Sequence, residues 1–161
     1  MNRNETPTAD NASADDVAVA LAVMATGQQY VQHADTKVSI LIALQAGAVV
    51  GLTATRAAAG SHPATISTVL FGVLLAASLV AGTHLLWALR PRLTGDDVPS
   101  RFGIVRIPEH PPAGAAAQRD EAWAMARILA ALAETKYRHI GRAMPWLALG
   151  LVAGTAGAIL A

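Results

Sequence analysis

Asp35 and Lys37 stand two residues apart in the stretch YVQHADTKVSILIALQAGAVVGLTAT, directly before 18 residues, Val38 to Thr55, that carry no charge. A helix of that length crosses the roughly 30 Å of hydrocarbon in a bilayer. The two charges therefore mark the point where a helix leaves water. Residues two apart do not face each other on a helix, so a mutual salt bridge does not explain them. Two readings stand side by side. In one, both are interfacial anchors, with Lys37 snorkelling to the headgroups and Asp35 solvated. In the other, they meet groups of a basic loop, or a ligand held against it. An ionised carboxylate only accepts hydrogen bonds, so Asp35 would take ribose or base donors or hold a basic side chain in place. Five arginines farther on, Arg101, Arg106, Arg119, Arg127 and Arg138, could receive an anion, because guanidinium forks suit phosphate. A cytosolic loop of a membrane protein carries such a surplus in any case.

No enzymatic constellation accompanies them. The chain has no G-x-S-x-G, no G-x-x-x-x-G-K-[ST] and no H-E-x-x-H. It has no cysteine, which excludes disulfides, thiolate catalysis and zinc–thiolate sites. His33, His62, His84, His110 and His139 are scattered and read as interface or loop histidines, so no metal site and no catalytic residue is expected. Gln45 is the strongly polar residue deep in the first apolar run, suited to lining a pore or to an interhelical hydrogen bond. Gly47 and Gly51, and again Gly150 and Gly154, form G-x-x-x-G patterns that allow close helix approach, in a homo-oligomer or within one chain.

The elements that carry these residues follow from composition. The chain is 53% hydrophobic and only 14% charged, a balance that points to membrane rather than to a soluble domain. Net charge is only +1, so bulk charge says nothing about nucleic acid, and no nucleic-acid partner is expected. Residues 1–12 have little to bury and read as a disordered tail. The polar, acidic start lacks the pattern of a cleaved secretory signal, so the first spanning helix would direct its own insertion. Ser13 followed by Asp15 and Asp16 predicts a helix start, and one long helix then runs through Gly27 into the first span, about residues 38–56. Gly60 and Pro63 mark a turn; Thr65–Leu89 is a second span of 25 residues without Asp, Glu, Lys or Arg, closed by Arg90-Pro91-Arg92. Prolines and glycines make a loop of 93–114, with a short extended piece at Phe102–Ile107. Ala115–Ile140 is helical by propensity, with Glu134 and Arg138 a favourable i,i+4 pair. A third span follows at 143–161, with Pro145 either a first-turn proline or a kink. The expected fold is thus all-α: three transmembrane helices, with cytosolic helical extensions before the first and third, in a single membrane domain over 13–161.

Lysine and arginine counts beside the spans give the orientation. Residues 90–142 carry nine basic side chains, the turn near Gly60 only Arg56, and the C-terminus none. The N-terminus and the basic segment are then cytosolic and the C-terminus outside. Residues 1–37 hold two basic and five acidic groups against nine and six in 90–142, so the two cytosolic segments are opposite in sign and suited to packing together.

Three stretches resemble one family. HADTKVSILIALQAG is similar to the A-D-x-K-x-x-x-L signature of the membrane-spanning Pycsar effectors. RDEAWAMARILAALAETKYRHIGRAMPWLALGLV resembles that family's closing segment, a helix bearing a lysine just before the last span. SRFGIVRI sits where the family has a phenylalanine–glycine element. The resemblance covers roughly residues 17–160. It implies a non-enzymatic effector of antiphage defence in the inner membrane. Its functional partner is a pyrimidine nucleotide cyclase, whose cyclic CMP or cyclic UMP it senses on the cytosolic side before impairing the bilayer. The positions that match are Asp35, Lys37, Phe102, Gly103 and Lys136; the expected ligand-binding set is Asp35, Lys37, Arg101, Phe102, Arg119, Lys136 and Arg138. The rival readings are an accessory subunit of a larger membrane complex and a holin-like pore former.

Overall fold

The computed structural model describes residues 9–58, 65–90, 102 and 114–160, with side chains from residue 14. Among them the chain is all-helical, with α1 (Ala9–Ala58), α2 (Thr65–Leu89) and α3 (Ala115–Ile159) and no strand. Each helix is long and apolar enough to cross a membrane. α1 begins four residues ahead of the start expected at Ser13, because the alanines at 9 and 12 favour extending a helix once it is nucleated. Gly27 and Pro145 both lie inside unbroken helices. The tip of the turn near Gly60, the loop residues Arg101 and Gly103 and most of the stretch Phe102–Ile107 lie outside the described residues; Phe102 itself is at a turn.

The contacts divide into two units. The first holds α1 up to Gln32 and α3 up to Ala133. Gly114 opens α3 in this unit. Its φ of 106° is in the left-handed region that glycine tolerates, and its carbonyl accepts the first helical hydrogen bond from Gln118 N at 3.2 Å. Asp16 meets Arg119 at 3.6 Å, and a Cβ on Gly27 would lie 3.1 Å from that of Leu129. These matches ascend along both helices, so α1 and α3 are parallel here. Gly27, which weakens an isolated helix, is what lets the two backbones come close. The inner side of this pair is Val17, Ala20, Met24, Gly27 and Val31 on α1 and Ala122, Ala126, Leu129 and Ala133 on α3. Their alternate spacing of three and four is that of a coiled-coil seam.

The second unit holds residues 33–91 and 134–161. It is an up-down-up bundle. Asp35 matches Lys136 and Leu52 meets Gly154, so α1 and α3 run parallel. Gln45 matches Ser78 and Arg56 matches Ser67, so α2 runs against them. Its core is small. Ala34, Val38, Leu85, Ala88, Ile140 and Ala143 form one buried cluster. Gly150 and Gly154 pack against Ala77, Leu74 and Leu52, and Gly157 against Leu70. Leu74, Leu85 and Ile140 apart, many large apolar side chains point the other way: Leu79 is 74% exposed while Ala81, two residues on, is 0%. Small residues inside and bulky apolar ones outside is the arrangement of helices packed in lipid, where there is no water to drive leucine inward. With no water for backbone groups either, the uncharged stretch Thr65–Leu89 must satisfy them within a helix.

Candidate functional site

At the end of the membrane unit where the charges stop, α1 presents Asp35 and Lys37 and α3 presents Lys136. Lys136 sits on the seam of α3, the row Lys136, Ile140, Ala143, Leu147, Gly150, Gly154 and Gly157, again spaced by four and three. It is the charged member of that row. Its ammonium donates to Asp35 Oδ1, and the pair is unequal: the Lys136 side chain is 9% exposed and that of Asp35 42%. A buried ammonium is costly unless paired, so Asp35 is what allows a lysine at that place. Lys37, exposed, lies over the Tyr137 ring with its Nζ 5.1 Å from the centroid, a cation–π contact. Asp35 and Lys37 thus both meet α3, in different roles: one is a half-exposed partner to a buried lysine, the other an exposed cation over a ring.

Beside them, His84 and Trp87 of α2 meet His139 of α3. The two imidazole centroids are 6.1 Å apart, and Trp87 stands edge-on to His139 at 5.7 Å and to His84 at 6.3 Å. His84 Nδ1 is buried without a hydrogen-bond partner. The sequence offers no reason to join these two histidines, which lie 55 positions apart on different helices. Among the described residues no group of three histidines or carboxylates is placed to hold a metal.

Deeper in the unit, Gln45 donates its amide to the carbonyl of Ser78, an interhelical hydrogen bond. At the opposite end, Arg56 donates to Ser67 O at 3.3 Å and to Thr68 Oγ1 at 2.9 Å, with its guanidinium 4.9 Å from the Phe71 centroid. Buried Ser67 donates to Gly157 O at 2.8 Å. Arg138 pairs with Glu134 at 2.7 Å on an exposed face, as the i,i+4 spacing predicts. Of the other expected site residues, Arg119 belongs to the first unit, engaged with Asp16 and Asp120, and half-buried Phe102 belongs there too. Arg101 lies outside the described residues. Of the expected helix-packing glycines, Gly150 and Gly154 are used inside the bundle, whereas nothing lies within 4 Å of the side-chain position of Gly47 or Gly51.

Three apolar helices, small residues turned inward and a charge pair where the apolar runs begin define a multi-pass membrane protein. The sequence matches the Pycsar effector protein domain over residues 19–161, and the chain belongs to that family. Membership gives it a role in Pycsar antiphage defence, in which effectors operate together with a cyclase. No curated protein and no solved structure matches it.

Proposed function

We propose that the chain is the membrane effector of a cyclic-pyrimidine-nucleotide defence system. In this reading it senses cyclic CMP or cyclic UMP on the cytosolic side and then impairs the inner membrane, with no chemistry of its own. The N-terminus and residues 90–142 are cytosolic and the C-terminus outside, from the excess of lysine and arginine in that segment. Homo-oligomers form through the Gly47 and Gly51 face. The single observation that carries the reading is the meeting of Asp35 and Lys37 with α3 at the start of the apolar run, because it gives the family-signature residues a direct hold on two of the three spans. Of the two signature lysines, Lys37 is the one open to a cyclic phosphodiester: it is exposed, while Lys136 is buried against Asp35.

The test is co-expression with an active or an inactivated pyrimidine cyclase while membrane potential is followed. Depolarisation is expected only with the active cyclase. Lys37→Ala, in protein that still inserts, should shift the response to about tenfold higher nucleotide or beyond, the effect of losing one charge-assisted contact. Equal depolarisation with both cyclases would favour a constitutive pore, and none with either would favour an accessory subunit.

A further inference from the structure

The membrane-unit seams of α1 and α3 are made of residues that fit almost any partner. Ala34, Val38 and Leu41 recur on α1, and Ile140, Ala143, Leu147 and Gly150 on α3, each at three-and-four spacing. Such parallel seams look alike to one another after a slip of seven residues, since small still meets apolar. A slip of that size would place Asp35 beside Ala143 and leave Lys136 buried with no carboxylate. Along these two seams it is the charged pairing that tells the native register from the slipped one, and the Leu52–Gly154 and Lys37–Tyr137 contacts would change with it.

A lysine on a seam is also a poor choice if stability were the object. An apolar side chain of similar length would fill the place without desolvating a charge. Where a single lysine or asparagine interrupts an otherwise apolar seam, its attested use is to fix register at the expense of stability. We infer that the Asp35–Lys136 pair is a register lock between α1 and α3, and that releasing it lets these two helices take a second, slipped register. That the slipped register is the membrane-impairing one rests on the effector function proposed above; that the pair sets register does not.

The chain has no cysteine, so engineered pairs report register without background. Val38 and Ile140 share the buried cluster, so Val38→Cys with Ile140→Cys reports the native register. Val38→Cys with Leu147→Cys reports the slipped one, because residues one heptad apart are about 10 Å apart along a helix, beyond disulfide reach. In membranes carrying the otherwise unchanged full chain, oxidation should close the first pair and not the second. Adding Lys136→Leu should lower the first crosslink severalfold and bring up the second. The exchange Asp35→Lys with Lys136→Asp should restore the original pattern, which a merely destabilised protein would not do. Native crosslinks alone in the Lys136→Leu protein, or no recovery on the exchange, would overturn the lock. Lys136→Leu should also depolarise cells that have no cyclase. Slipped crosslinks with normal potential would overturn the link to activation while leaving the lock. A wild-type chain that ignores an active cyclase would instead defeat the effector reading, with the crosslinking result unaffected.

Discussion

At one end of the membrane unit α1 is tied to α2 through main-chain and hydroxyl oxygens, Arg56 reaching Ser67 O and Thr68, while α2 reaches the α3 main chain through Ser67. At the other end α1 is tied to α3 by side chains alone, Asp35 to Lys136 and Lys37 over Tyr137. The difference is chemical. A carbonyl oxygen in a helix is always present and always an acceptor, so the Arg56 end is a fixed clasp. A carboxylate half open to water can be drawn away by another cation, and an exposed lysine can be drawn away by an anion. The end held by paired charges is the one that ions in solution can compete for.

The largest expected effect comes from breaking that end unequally. Asp35→Ala strands a buried ammonium and should lower stability by about 3–5 kcal/mol, whereas Lys136→Leu leaves a half-exposed carboxylate that water satisfies and should be near neutral. Unfolding of the purified protein in mixed micelles measures both; equal losses would mean that the burial difference has no consequence. A middle-sized effect separates the two glycine pairs. Gly154→Leu must displace Leu52 and Leu74 and should cost about 1–3 kcal/mol in the same assay, while Gly47→Leu, with nothing within 4 Å, should not unfold the bundle and should act only on crosslinked oligomers. The smallest effect probes the fixed clasp. Arg56→Lys keeps the charge but loses the fork across two acceptors and the flat contact with Phe71, about 1 kcal/mol. A larger loss there than for Asp35→Ala would invert the comparison.

The helices are legible in the sequence because runs of 18 and 25 residues without a charge are rare in chains that fold in water. Asp35 and Lys37 are legible because charge at the edge of such a run is conspicuous. Their partners are harder. Lys136 stands among the candidates, but joining it to Asp35 requires that α1 and α3 be parallel and matched across 101 residues, which no local signal states. The seams themselves are hidden: the positions that pack are mostly alanine, glycine and valine, and the lipid face is as apolar as they are, so periodicity in hydrophobicity cannot mark the inner side. Size marks it only in part: Gly27, Gly150 and Gly154 fall where helices touch, whereas Gly47, Gly51, Gly72 and Gly141 have nothing within 4 Å of the side-chain position. The phosphate chemistry of guanidinium singles out Arg119, yet the structure gives it carboxylate neighbours on both sides. His84 and His139 meet only through packing, and histidine spacing along the chain carries no trace of it.

α2 has a consequence of its own. Its 25 residues measure about 37 Å end to end, longer than the roughly 30 Å of a typical hydrocarbon core. Leaning is one way to take up such a surplus, and because Arg56 ties α1 to α2 and the Asp35–Lys136 pair ties α1 to α3, leaning would involve the three helices of the bundle together. A thinner bilayer would make it lean further and a thicker one would stand it upright, so the lipid's own thickness is a variable to which this protein is mechanically coupled.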